Sequence, residues 1–199
     1  MKSINDSLTQ TLLIEGETIS RLVKELDLIT LENFVKIIAT TTGKVVVSGC
    51  GTSGVAAKKF VHSLSCIEIP AVYLNPTDAV HGALGILQKN DTFVLISKGG
   101  NTQELVALLN SAKTKGARLI SVGENKEGKI SQAADLFIQV KVKEEPDPFK
   151  LLATASTLAV ISMFDAVCVA LMRQTNYTKE QFAINHPGGA VGDKLINKQ

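Results

Sequence analysis

Apolar positions follow three regimes along the chain. In residues 4–40 they recur at helical spacing: Leu8, Leu12, Leu13, Ile19, Leu22, Val23, Leu26 and Leu28, then Leu31, Phe34, Val35 and Ile38. Two helices are predicted, with a break between Asp27 and Thr30. From Lys44 the period changes. The β-branched run KVVVSG at 44–49 ends in glycine, and similar runs follow at 71–74, 92–97, 117–122 and 136–140. Each is continuously apolar rather than alternating, the pattern of strands buried on both faces. Helical stretches at 53–66, 101–115 and 127–134 separate them. This alternation predicts an α/β domain whose parallel sheet carries helices on both faces.

The third regime is the apolar stretch 151–172, long enough to span a bilayer and carrying one charge, Asp165. Thr154, Ser156, Thr157 and Ser162 dilute it, and an aspartate is costly in lipid. The prediction is a helix buried inside the domain, with no membrane partner. The preceding segment KEEPDPFK at 143–150 is the one candidate linker.

Composition narrows the class. With 199 residues, the chain reads as one domain, N-terminal helices over 1–40 and an α/β core with C-terminal helices over 41–199. Lys+Arg 21 against Asp+Glu 19 gives a net charge of +2 without a basic cluster, which argues against a nucleic-acid partner. Cys50, Cys66 and Cys168 form neither a disulfide framework nor a zinc pattern, and the N-terminus has no apolar signal region. A reducing cytoplasm is the expectation.

Candidate chemistry sits in two loops. GCGTSG at 49–54 matches G-x-G-x-x-G between a strand and a helix, the context of a dinucleotide loop. A dinucleotide site also wants an acidic residue at the tip of the second strand, and Asn75 stands there instead. Thr52 and Ser53 put hydroxyls at a helix N-terminus, where N–H groups favour an anion. The second loop, SKGGNT at 97–102, follows another strand. Two such loops at the carboxyl ends of parallel strands would share a crevice and clasp one phosphate. Simple capping by Ser53, Ser97 and Thr102 is compatible with that role.

These segments together resemble the SIS (sugar isomerase) domain, and among its branches the KpsF/GutQ-type arabinose-5-phosphate isomerases. The resemblance rests on GCGTSG at 49–54, DAVHGALG at 78–85, SKGGNT at 97–102, Glu145 before Pro148, ATAST at 153–157 and FAINHPGGAVG at 182–192. It implies a three-layer α/β/α fold with a five-stranded parallel sheet and N-terminal helices packed in a homodimer or homotetramer. It implies aldose–ketose isomerisation of a small sugar phosphate through an enediolate, with no metal or organic cofactor. Gly51, Thr52, Ser53, Ser97, Lys98, Gly100, Asn101 and Thr102 fall in its phosphate loops. Glu145, His186 and His81 fall on positions implicated in catalysis, Glu145 as the base. In a charge run a carboxylate otherwise lies on a solvated face. Both histidines precede glycine or Pro-Gly turns that present an imidazole, and either suits ring opening or proton shuttling.

The sequence departs from the family pattern at four places. Thr52 replaces a lysine, Lys98 an asparagine, Gly99 a serine and Asn101 a glutamate. Lys98 is expected to replace in part the cation lost at Thr52. Two functions follow: an isomerase, or a non-catalytic binder that senses a sugar phosphate. A nucleotide-dependent oxidoreductase is disfavoured by Asn75. Members of this branch often carry CBS modules after the sugar-phosphate domain. The chain ends at Gln199, shortly after HPGGAVG, and a unit without such modules is expected.

Overall fold

The computed structural model describes residues 3–188. The chain opens with α1 (Ile4–Glu25) and α2 (Leu28–Thr40). Asp27 divides them: its carboxylate accepts from the N–H groups of Ile29 and Thr30 and starts α2. Five strands follow, β1 (Val45–Gly49), β2 (Ala71–Tyr73), β3 (Thr92–Ile96), β4 (Arg118–Gly123) and β5 (Leu136–Gln139). They form one parallel sheet in the order β2-β1-β3-β4-β5. The three inner strands are the continuous apolar runs. β1 and β3 are buried throughout, and only Arg118 of β4 is exposed.

Alternate residues of each strand serve different layers. Val45, Val47, Val94, Ile96, Ile120, Val122 and Ile138 face a core shared with α2, α3 (Gly51–Cys66) and α8 (Ala155–Gln174). Phe60 and Phe164 stack there at 3.9 Å between ring centroids, with Phe34 beside them. Val46, Phe93, Leu95 and Leu119 face the other core. It is built with α4 (Pro76–Ala79), α5 (Gln103–Val106), α6 (Leu109–Lys115) and α7 (Lys129–Ala133). The fold is the three-layer arrangement expected, with α9 (Lys179–Asn185) at its end.

Several boundaries differ from the sequence reading, each for a local reason. α3 begins at Gly51, inside the glycine loop, because Gly51 takes a left-handed φ of +55° that turns the chain directly into the helix. The stretch 101–115 splits at Ala107 and Leu108 into α5 and α6, with Leu105 and Leu108 both buried against the sheet. α4 and a 3-10 turn at Ala83–Ile86 occupy what reads as loop after β2. The apolar stretch forms helix only from Ala155 and runs on to Gln174. α8 is the one described helix long and apolar enough to cross a membrane, but Ala159, Met163, Phe164, Val167 and Leu171 pack into the domain core. Its Asp165 pairs with Lys59 of α3.

Strand order positions the site. β1 and β3 are neighbours, yet the helix after β1 lies on one face and the helices after β3 on the other. The chain therefore parts at their carboxyl ends and leaves a crevice, the usual ligand position in open α/β sheets.

Candidate functional site

Both loops singled out from sequence open into that crevice. Thr52 and Ser53 line it from α3, Lys98 from the loop after β3, and Ala153, Ser156 and Thr157 from the start of α8. A larger concavity of about 720 Å³ lies at the opposite, amino-terminal edge of the sheet, around Thr41, Asp91 and Arg118, and contains none of these residues.

The first loop is shaped by close backbone approach. A Cβ on Gly49 would sit 2.9 Å from the Ser53 carbonyl, and one on Gly54 would sit 2.7 Å from the Gly49 oxygen. Glycine at both positions lets the end of β1 lie directly on the first turn of α3. The N-cap residue Cys50 offers no side-chain cap, so the first N–H groups of this helix have no side-chain acceptor at the N-cap. Burial, then the charge of Glu104, pushes the Cys50 thiol up, which keeps it protonated and unsuited to nucleophilic attack. Glu104 lies three residues after Asn101, where the family pattern has its glutamate. Sequence reading passed over it because it belongs to the predicted helix rather than the loop.

The second loop is braced by its own hydroxyls. Ser97 is buried, its Oγ lies 2.8 Å from Thr102 Oγ1, and it accepts from the Gly100 N–H at 3.1 Å. Gly100, at φ +69°, presses against Gly128, leaving no room for a side chain. Asn101 is not among the residues lining the crevice. Its Oδ1 accepts from the Lys129 N–H at 3.0 Å and its Nδ2 donates to the Gly99 carbonyl at 3.1 Å, so the carboxamide ties the loop to α7.

Glu145 is 3% exposed, against the surface position that a charge run implies. One oxygen accepts from the N–H groups of Thr154 and Ser156, at 3.0 and 3.3 Å. The other accepts from Lys98 Nζ at 3.2 Å. A carboxylate nine residues upstream thus caps α8, whose own N-cap Thr154 makes no side-chain cap. Burial by itself would raise the Glu145 carboxyl. The Ser156 hydroxyl, the Thr154 N–H and Lys98 together outweigh it and hold the group below the usual carboxylate range. Glu145 is therefore ionised at neutral pH.

The SIS domain profile matches residues 38–170. The chain belongs to the SIS domain family. Arabinose 5-phosphate isomerase KpsF of Escherichia coli is 32% identical over 192 residues, covering 96% of this chain and 61% of that protein. Arabinose 5-phosphate isomerase KdsD of Pseudomonas aeruginosa is 36% identical over 170 residues, covering 84% and 52%. The chain spans between half and two thirds of the length of these two relatives. Among solved structures, a candidate sugar-phosphate isomerase of Listeria monocytogenes is 57% identical, with a TM-score of 0.92 over 94% of this chain and 100% of that one. A protein of Escherichia coli CFT073, solved in complex with a sugar phosphate, is 30% identical, with a TM-score of 0.89 and the same coverage.

Neither candidate histidine of this SIS domain is among the residues lining the crevice. His186 stacks on Phe182 at 3.9 Å and its Nδ1 lies 2.9 Å from the Phe182 carbonyl. Its helix, α9, is anchored at the far end of α3: Gln181 and Asn185 both donate to Glu68, and Tyr177 donates to the Cys66 carbonyl. The 16-residue α3, about 24 Å long, separates that end from the glycine loop. His81 is exposed in the turn after α4, on the carboxyl side of the sheet. The remainder of the HPGGAVG stretch, from residue 189, lies outside the described residues. His62, read as structural, sits on α3 beside Cys66, with 3.6 Å between Nε2 and Sγ.

Proposed function

We propose that this SIS domain is a sugar-phosphate aldose–ketose isomerase working through an enediolate. The observation that carries the reading is that Thr52, Ser53 and Lys98 line one crevice, with the ionised Glu145 carboxylate against the lysine. The phosphate is held by the first-turn amides of α3 at Gly51, Thr52 and Ser53, by the Ser53 hydroxyl, and by Ser97, Gly100 and Thr102 across the crevice. Lys98 supplies the cation that Thr52 does not. Glu145 removes the proton from the carbon next to the carbonyl, for which it must be ionised, and returns it to the neighbouring carbon. Donors around the crevice stabilise the oxyanion that develops.

His81 and His186 serve ring opening and proton shuttling. The position of His186 at the far end of α3 supports its acting in a second subunit's site, and with it a homodimer or homotetramer. The exposed apolar side chains of α1, among them Ile4, Leu8, Leu12 and Leu13, support the same assembly. The similarity to arabinose 5-phosphate isomerases favours a pentose phosphate as substrate, without metal or organic cofactor, and a cytoplasmic location.

A second reading, a non-catalytic sensor of a sugar phosphate, is favoured by one observation. The Glu145 carboxylate is fully engaged, capping α8 and pairing with Lys98, and Asn101 is turned to α7. Solvent deuterium exchange into a panel of pentose and hexose phosphates separates the two. Exchange into one of them is expected; binding without exchange into any would leave the sensor.

A further inference from the structure

Tyr73 closes β2, the edge strand beside β1, in register with Val47. Its hydroxyl donates to the carbonyl of Gly49, the last residue of β1, at 2.9 Å. That carbonyl oxygen is also the atom against which Gly54 packs, and a Cβ on Gly54 would come within 3.0 Å of the Tyr73 hydroxyl itself. The phenol, the Gly49 carbonyl and the first turn of α3 are thus mutually fitted, with no slack for a methyl group. The ring is held from above by Lys58 of α3, whose Nζ lies 5.0 Å from its centroid. Burial, followed by the nearby Cys50 and Asp78, raises the phenol from its ordinary value, which keeps it a donor at neutral pH.

We infer that Tyr73 is a positioning residue for the first phosphate loop: by pinning the Gly49 carbonyl it sets the direction of the amides at Gly51, Thr52 and Ser53. The inference rests on the reading of that loop as a phosphate site. A carbonyl at the hinge between strand and loop can rotate with its peptide plane. Rotation at Gly49 would re-aim the following amides, since Gly51 already occupies a left-handed conformation that only glycine adopts freely. The hydroxyl removes that freedom before ligand arrives and so acts on binding rather than on proton transfer.

Tyr73→Phe deletes the hydroxyl alone and keeps the ring and its contact with Lys58. The expected result is a three- to tenfold rise in the KM of the sugar phosphate that shows deuterium exchange, as for loss of one ordinary hydrogen bond. Competitive inhibition by inorganic phosphate should weaken by the same factor. kcat should stay within about twofold, and the melting temperature should fall by only a few degrees. An unchanged phosphate inhibition constant overturns the inference, and so does a fall in kcat at constant KM. If the unmodified protein binds neither inorganic phosphate nor any sugar phosphate, the reading of the loop fails and takes the inference with it. If the unmodified protein binds and the variant binds equally, the inference alone fails. Gly54→Ala supplies a second arm, because it displaces the same carbonyl with the hydroxyl intact, and should weaken phosphate inhibition at least as much.

Discussion

Lys98 Nζ stands 3.2 Å from a carboxylate oxygen of Glu145, a half-exposed cation on a buried anion. The lysine comes from the loop after β3 and the glutamate from the segment before α8. This contact joins the loop after β3 to the start of α8, and much of what can be tested turns on it.

Glu145→Gln should lower kcat by at least about a hundredfold, because an amide cannot take up the substrate proton, while KM changes only a few-fold. It should also cost about 1–3 kcal/mol of stability, since Lys98 loses its counter-ion and the Thr154 and Ser156 amides their charged acceptor. Stopped turnover with intact sugar-phosphate binding by calorimetry is the expected signature. Equal losses in binding and turnover would mean that Glu145 only holds the structure.

The same group gives a pH dependence of stability. Its folded value lies below its ordinary value of 4.5, so the folded state binds the proton less readily than the unfolded chain. Its contribution is complete above about pH 4.5 and is lost as the pH falls through the lower folded value. Melting curves of the protein and of Glu145→Gln should therefore differ by a constant amount at neutral pH and converge in acid. A gap that persists unchanged to the lowest pH at which both fold would contradict the assignment.

Lys98→Met removes the one cation, among the described residues, that lines the crevice beside Thr52 and Ser53. Sugar-phosphate affinity should fall by about tenfold, the scale of one charge-assisted hydrogen bond. Calorimetry with the substrate, and with its unphosphorylated parent as a control, measures it. Unchanged affinity would remove Lys98 from the phosphate site.

Ser97→Ala deletes the partner of Thr102 and one of the two acceptors of the Gly100 N–H, which keeps the Ser97 carbonyl at 3.1 Å. Binding of inorganic phosphate should weaken more than tenfold with only a modest drop in melting temperature, about 0.5–1.5 kcal/mol for a lost hydrogen bond. Equal phosphate affinity in the variant and the parent would contradict the placement of Ser97 in the site.

The separation of His186 from the loops calls for a mixing experiment. Glu145→Gln and His186→Ala should each be nearly inactive alone. After unfolding and refolding together they should recover part of the activity, because a mixed assembly rebuilds some complete sites from two chains. No recovery, in mixtures shown to assemble, would confine His186 to its own subunit or remove it from catalysis.

The sheet was legible because its inner strands lack alternation: Val45–Val47 and Phe93–Ile96 could only be strands buried on both faces. The two loops were legible because glycines and hydroxyls sit where strands end. Glu145 was not. A charge run reads as surface, and its burial depends on Thr154 and Ser156 beyond an irregular loop and on Lys98 from another strand's loop. The Asn101 contact was hidden for a similar reason, since its partner Lys129 belongs to a different helix. α9 was expected only as an unplaced C-terminal helix, although its Thr178–Gln181 capping box is a local signal. Nothing local, however, says at which end of α3 that helix docks, and so the distance of His186 from the crevice was hidden.

Glu145 fixes the backbone at Thr154 and Ser156, and Asp147 gathers the N–H groups of Phe149, Leu151 and Leu152 around one carboxylate. Residues 146–153 are therefore a closed excursion whose two ends meet at a single side chain. Lengthening such a loop costs little, roughly 0.6 kcal/mol for each doubling. Related chains can insert, delete or redecorate this stretch, now tipped with exposed Phe149 and Leu151, without moving the carboxylate or the helix start. Variation in this stretch is thereby uncoupled from the Glu145 carboxylate and from the start of α8.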